Sequence, residues 1–360
     1  MAGGGSGPRF KLARRGVAAG VAAVGLGAAA LAERRHLETI ARDPDFRRLS
    51  EPLGGRPVGP VASADGTQLH VEEFLPTDGP ADVTFVLAHG WTERLSFWGP
   101  VIRRLTAAGM RVVAYDLRGH GDSAEASSGD YGFDRFGEDL EAVLAHAGSD
   151  PQRTVVAGHS LGAMSIAAWA ADFDVAARVA AVAMVNTGLD NLIGGALIFG
   201  GIGGALNQPW VSNLLMGSRR PMLPVSTPLS EKIARYIAFG PEASDGTVAF
   251  YERMLLDTPP VVRGTIGLAF SAMDLSAAVP RITVPALVIG GDRDRLTPPD
   301  HARRIAAALP RGAGLLILER TGHMSPLERP DEVAEALQGL ATGAGLTPTG
   351  SRPAPAATGS

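Results

Sequence analysis

The chain contains no cysteine. That excludes disulfides, cysteine-based zinc sites and a cysteine nucleophile. It leaves the compartment open, because the cytoplasm and the cell exterior both accommodate cysteine-free proteins. A large charge of either sign is missing too. Formal net charge is −4 and the isoelectric point is about 6.1, so nothing draws the whole chain to nucleic acid. No G-x-G-x-x-G stands ahead of a helical pattern, so the dinucleotide fingerprint is absent. No cluster of histidines and carboxylates has metal-ligand spacing, and no internal repeat is present. Neither cofactor nor metal is expected, and the oligomeric state is not legible.

What the chain does have is length. Its 360 residues can bury the core of one large α/β domain. Residues 1–35 stand apart. The first eight are Gly/Ser-rich, with disorder expected. Arg9, Lys11, Arg14 and Arg15 follow, then an uncharged run over 16–32. A basic stretch before an apolar one has the form of a signal sequence or anchor. The run would make a helix of about 25 Å, the short limit for a membrane span. Ala, Gly and Val dominate it, and Glu33-Arg34-Arg35 closes it with charge. Anchor, cleaved signal and soluble helix stand as three readings. Membrane association through 16–32, or export, is the expectation, with the cytoplasm as the alternative. Residues 36–59 read as a connector ending in Gly54-Gly55-Arg56-Pro57-Val58-Gly59-Pro60. Residues 342–360 are rich in Gly, Pro, Thr and Ala and read as a disordered tail.

Residues 60–341 alternate between strand and helix patterns. Strands are expected at Gln68–Phe74, Val83–Ala88, Arg111–Tyr115, Val155–Ala157, Val179–Val185, Pro285–Ile289 and Gly314–Leu318. Helices are expected at Phe97–Ala108, Phe133–Ala147, after Ser160, at Pro299–Leu309 and at Pro330–Leu340. This alternation predicts a mostly parallel sheet with helices on both faces. Working groups in such sheets gather at the carboxyl ends of the strands. Residues 187–275 break the alternation. They carry an apolar glycine-rich stretch at 191–202 and helical patterns at Ser230–Phe239 and Thr247–Leu256. A helical cap over the strand ends is expected there, suited to a substrate with an apolar moiety.

The most informative stretch is Val155-Val156-Ala157-Gly158-His159-Ser160-Leu161-Gly162-Ala163. It reads as a buried strand, a sharp turn and a helix, and it contains G-x-S-x-G. Small residues on each side of the serine let neighbouring backbone approach. The turn lifts the Ser160 hydroxyl above the sheet and aims the Leu161 N–H, at a helix N-terminus, towards developing negative charge. A serine hydroxyl needs a base, and the base needs a partner that fixes its tautomer. His323 and Asp294 each follow an expected strand, in the chain order Ser, acid, His.

Further motifs accompany these: His89-Gly90-Trp91, the run from Asp116 to Ser123, Gly291-Asp292-Arg293-Asp294-Arg295-Leu296-Thr297-Pro298, and Gly322-His323-Met324-Ser325-Pro326-Leu327-Glu328-Arg329-Pro330. Together they make the chain resemble the α/β-hydrolase superfamily of serine esterases and lipases with a helical cap, over about residues 60–341. The resemblance implies Ser160 as nucleophile, His323 as base and Asp294 as orienting acid, with Asp292 as the fallback. It implies the Trp91 and Leu161 N–H groups as the oxyanion hole. His89 is expected to brace the oxyanion loop, His120 and Asp122 to shape a loop, and Asp116-Leu117-Arg118 to form an internal ion pair. His159 reads equally as structural or catalytic. The implied activity is hydrolysis of a carboxylic ester, lipid or lactone through an acyl-enzyme. Thioesterase, cofactor-free haloperoxidase or perhydrolase, C–C hydrolase and acyltransferase use the same triad and stay open. So does a binding protein that has lost catalysis.

Overall fold

The computed structural model describes residues 34–76, 81–148, 150–192, 217–219 and 227–347. Among the described residues there are ten strands: β1 (Arg56–Pro57), β2 (Val61–Ala62), β3 (Gln68–Leu69), β4 (Val71–Phe74), β5 (Thr84–Ala88), β6 (Arg111–Tyr115), β7 (Thr154–His159), β8 (Ala181–Val185), β9 (Ala286–Gly291) and β10 (Gly312–Leu318). Eight make one sheet in the order β1-β4-β6-β5-β7-β8-β9-β10. β4 pairs antiparallel with β1 and β6, and every other neighbour is parallel. β2 and β3 form a separate antiparallel pair.

Every residue of β5, β7, β8 and β9 is buried, as a strand covered on both faces must be. Side chains alternate across the sheet, so adjacent residues feed different cores. Val86, Val113 and Val156 join the helices Phe133–His146 and Leu161–Asp172 on one face. Phe85, Val112 and Val155 join the helices Gly99–Ala107 and Pro330–Gly343 on the other.

Differences from the expected elements have local causes. The first strand is interrupted at His70 and becomes β3 and β4. The helix expected from Phe97 begins as a 3₁₀ turn, Leu95–Trp98, and turns α-helical at Gly99 with Pro100 in its first turn, where the missing N–H costs nothing. The segment read as a connector holds structure. Asp43 caps the helix Pro44–Ser50 by accepting the N–H groups of Asp45 and Phe46, and β1 is already part of the main sheet. Within the expected cap, helices run over Pro228–Ala238, Asp245–Asp257 and Pro260–Ala269. The last was not among the expected elements. Residues 193–202 of the glycine-rich stretch, the run 16–32 and most of the tail lie outside the described residues. Among the described residues no helix is long and apolar enough to cross a membrane.

Candidate active site

The carboxyl ends of five parallel strands converge on Ser160. It follows β7 directly, with φ 49° and ψ −111°, and opens the helix Leu161–Asp172. A non-glycine residue there costs roughly 1–3 kcal/mol, so the surroundings must hold it. They do. The Ser160 N–H donates to the Val185 carbonyl at 2.9 Å, and the Thr187 hydroxyl donates to the Ser160 carbonyl at 3.0 Å. Leu161 is the first helical residue, where backbone N–H groups have no intrahelical partner.

Asp294, three residues past β9, lies under His323, five residues past β10. His323 Nδ1 is 2.8 Å from Asp294 Oδ2. Both side chains are buried. The Asp294 carboxylate also accepts the Leu296 and Thr297 N–H groups, the Thr297 hydroxyl and the Asn186 amide. Burial alone would raise its pKa; the His323 ring and these donors outweigh burial and hold it below the usual carboxylate value. Asp292 is turned elsewhere, accepting the Thr321 N–H at 3.1 Å. Of the two aspartates, Asp294 is the one that orients the imidazole. Among the described residues no hydrogen bond joins the Ser160 hydroxyl to His323. The ring of His159, the residue before the serine, lies 4.9 Å from the His323 ring.

Trp91 sits just past β5. The N–H groups on either side of its own are committed, Gly90 to the Glu93 carboxylate at 2.5 Å and Thr92 to His120 Nε2 at 3.2 Å. The Trp91 indole stands edge-on to Phe270, which also meets Phe133.

Three histidines near the site are fully engaged. His89 Nδ1 meets the Gly90 carbonyl at 2.8 Å, and its Nε2 accepts the Leu117 N–H at 3.0 Å. That pattern fixes one neutral tautomer, and burial pushes its pKa well below the usual value. His120 is neutral for the same reason, its pKa pushed down by burial to about 4. His159 differs. Its Nδ1 faces the Glu93 carboxylate at 3.0 Å and its Nε2 faces the His323 carbonyl at 2.8 Å. Burial would lower its pKa, but the Glu93 carboxylate raises it above the usual histidine value.

The expected ion pair within Asp116-Leu117-Arg118 is not formed. Asp116 instead accepts the Leu95 and Asp122 N–H groups. Arg118 points to the other side and binds Asp139 at 2.6 Å and Asp65 at 2.9 Å. Backbone geometry explains the split, because residues two apart diverge once the strand has ended in a turn. His70, Asp116 and Asp122 lie close enough to suggest a metal. Each is already engaged, His70 by Glu72, Asp116 by the two N–H groups and Asp122 by Arg94.

Asn186, Thr297, Glu93 and Glu328 were not singled out from the sequence. Asn186 alone carried a signal, a residue that tolerates positive φ directly after a strand. Its φ is 44°.

A family model described as the alpha/beta hydrolase family matches residues 85–336. The chain belongs to that family. Among curated relatives of this α/β hydrolase, the bifunctional esterase/perhydrolase DCH of Acinetobacter calcoaceticus is 25% identical over 302 residues, covering 78% of this chain and 98% of that one. A monoacylglycerol lipase of Mycolicibacterium smegmatis is 29% identical over 247 residues, covering 66% of this chain and 79% of that one. Among solved structures, the enol-lactonase of Burkholderia xenovorans LB400 superposes with a TM-score of 0.62 at 26% identity, over 79% of this chain and all of that one, 100%. Relatives that hydrolyse esters place this α/β hydrolase among hydrolases of that general kind.

Proposed function

We propose that this chain is a serine hydrolase that cleaves carboxylic esters through an acyl-enzyme. The observation that carries the reading is the 2.8 Å contact of Asp294 with His323 beside a serine held at φ 49° on a strand-to-helix turn. Ser160 Oγ attacks the acyl carbonyl, and its proton passes to His323 Nε2. Asp294 fixes Nδ1 as the donor and stabilises the imidazolium. The Leu161 and Trp91 N–H groups hold the oxyanion; one such donor is worth about 10²–10³ in rate. The imidazolium then protonates the departing alkoxide. Water attacks the acyl-enzyme as His323 takes its proton, the acyl–Oγ bond breaks as the imidazolium returns that proton to Ser160, and the carboxylic acid leaves. The aromatic group of Trp91, Phe133 and Phe270 favours an apolar acyl chain.

The test is turnover of p-nitrophenyl esters of graded chain length, with fluorophosphonate labelling. Ser160→Ala is expected to lose label and at least about 10³-fold in kcat. Equal turnover by the variant, or an unlabelled wild type, overturns the reading and favours a binding protein. A second reading, perhydrolysis on the same residues, follows from the named activity of the Acinetobacter relative. Peracid formation from a carboxylic acid and hydrogen peroxide, lost in Ser160→Ala, would select it.

A further inference from the structure

Isolated apolar residues on a surface are ordinary, and Leu75 and Leu315 are of that kind. The helix Pro228–Ala238 is different. Leu229, Ile233 and Tyr236 are 68%, 51% and 46% exposed and follow one another at i, i+4 and i+7. They form a single stripe, opposite the buried Ala234 and Ala238 that seat the helix on the core. Of its larger apolar residues, Leu229, Ile233 and Tyr236 face outward and Ile237 is half-buried.

Cations border the stripe. Lys232, Arg235, Arg293 and Arg295 line a groove of about 450 Å³ beside Tyr236. Arg235 pairs with Asp245 and Arg293 lies near Asp292. Lys232 and Arg295 have no acidic partner among the described residues, and the Arg295 guanidinium lies 4.6 Å from the centre of the Tyr236 ring. The helical residues 34–42 lie alongside, with the His36 imidazole 3.1 Å from Glu231. Leu37 on that segment is 42% exposed. The described chain begins on this face at Arg34, and the sequence before it is a basic stretch followed by the uncharged run 16–32.

The geometry points to this face as a docking surface for an anionic phospholipid bilayer. The stripe enters the boundary between headgroups and acyl chains, and Lys232 and Arg295 meet headgroup phosphates. An outward apolar stripe with cations at its margin is the arrangement that binds a helix flat on such a surface. A protein partner would need neither the uncompensated cations nor an uncharged apolar run immediately before Arg34 in the sequence. Docking here is independent of the proposed chemistry, because no residue of the stripe belongs to the triad or the oxyanion hole.

The absence of cysteine supplies the test. Full-length protein carrying Ile233→Cys is labelled with a nitrobenzoxadiazole dye, and Leu75→Cys, near the opposite edge of the sheet, serves as control. Vesicles of phosphatidylcholine with phosphatidylglycerol are added at low salt. The label at position 233 is expected to shift to the blue and to be quenched by brominated acyl chains, while the label at position 75 stays water-like. Lys232→Glu with Arg295→Glu is expected to cut vesicle partition at least about tenfold. The proposal fails if the protein stays in the supernatant. It fails if position 233 remains water-like on protein that pellets with vesicles, which would assign binding to residues 1–33 alone. It also fails if the shift is present without vesicles, which would mean that residues 1–33 or a second copy cover the stripe. None of these readouts requires turnover, so the loss of ester hydrolysis in Ser160→Ala leaves them untouched.

Discussion

Glu93 and His159 form a buried pair that ties three loops together. Glu93 accepts the Gly90 N–H of the loop after β5 and faces His159 Nδ1; His159 Nε2 faces the carbonyl of His323. Both ring nitrogens of His159 meet acceptors, and only an imidazolium can donate to both. The pair therefore sets the candidate oxyanion loop, the elbow and the base in one register. Glu93→Gln keeps an acceptor and removes the charge. It is expected to lower kcat about tenfold while KM moves less than about twofold. Glu93→Ala leaves the imidazolium unpaired and is expected to cost about 3 kcal/mol of stability as well. Steady-state kinetics and denaturant unfolding separate the two effects. Unchanged kcat in a folded Glu93→Gln would reduce the pair to a packing feature.

The same site predicts how stability follows pH. His159 has a folded pKa above its ordinary 6.5, so its contribution is complete below pH 6.5 and is lost as pH rises through the folded value. Glu328 acts in the same direction. Burial raises its carboxyl from 4.5 to about 7, against the Gly240 and Gly322 N–H groups that favour its charge, with Asp294 adding to the rise. The fold holds a proton there that the unfolded chain releases, so the contribution of Glu328 declines between about pH 4.5 and 7, by up to about 3 kcal/mol. Asp294 has the opposite sign. Its depressed pKa contributes above 3.8 and is lost as pH falls through the folded value. His89 and His120 oppose Glu328, since burial lowers their pKa values: their contribution is complete above pH 6.5 and is lost as pH falls towards the folded values. The Glu328 assignment is therefore read from the difference between variant and wild type. In thermal unfolding, Glu328→Gln should gain stability relative to the wild type as pH rises from 4.5 to 7. A variant whose pH profile runs parallel to that of the wild type contradicts the assignment.

Asn186, which belongs to none of the motifs, also supports Asp294. Its amide donates to Asp294 Oδ2 and to the Gly322 carbonyl, both at 3.1 Å, and its own oxygen accepts from Ser325. Asn186→Ala is expected to destabilise by about 2–4 kcal/mol, from orphaned partners and from an alanine at positive φ. Asn186→Gly relieves the backbone part only. If the amide positions the acid, the glycine variant recovers stability but stays about 10–100-fold down in kcat. Full recovery of kcat with stability would assign Asn186 to the backbone turn alone.

Strand positions and the Asp294–His323 pairing were legible for one reason. A strand buried on both faces reads as a continuous apolar run, and the residues that follow such runs share one edge of a parallel sheet. Arg111–Tyr115 was read with its observed bounds, and Asp294 was chosen over Asp292 on the family resemblance. The supporting groups were not legible. Glu93 looks like any polar loop residue until β5 and β7 are adjacent, and Asp139, which binds Arg118, lies 21 residues away in the helix Phe133–His146. Such pairings depend on three-dimensional neighbours that no local pattern encodes. The helix Pro44–Ser50 and strand β1 were missed because seven and two residues are too short to show a period.

The two glycines of the elbow are required by contact. A Cβ at Gly158 would stand 2.4 Å from the Gly162 carbonyl, and one at Gly162 would stand 2.3 Å from the Ala88 carbonyl. Strand end, helix start and the end of β5 thus meet backbone to backbone, immediately beside Leu161. Gly162→Ala must push the helix Leu161–Asp172 away from β5. It is expected to lower ester turnover at least about 100-fold, since an oxyanion donor displaced by about 1 Å loses most of its effect. Gly339 in the helix Pro330–Gly343 is the contrast, because a Cβ there meets nothing within 4 Å. Gly339→Ala should raise stability by about 0.5–1 kcal/mol and leave turnover unchanged. The two substitutions are the same chemical change, a hydrogen replaced by a methyl group. Opposite outcomes in unfolding and in turnover are the result expected; equal effects would mean that the backbone contact at Ala88 does not set the elbow.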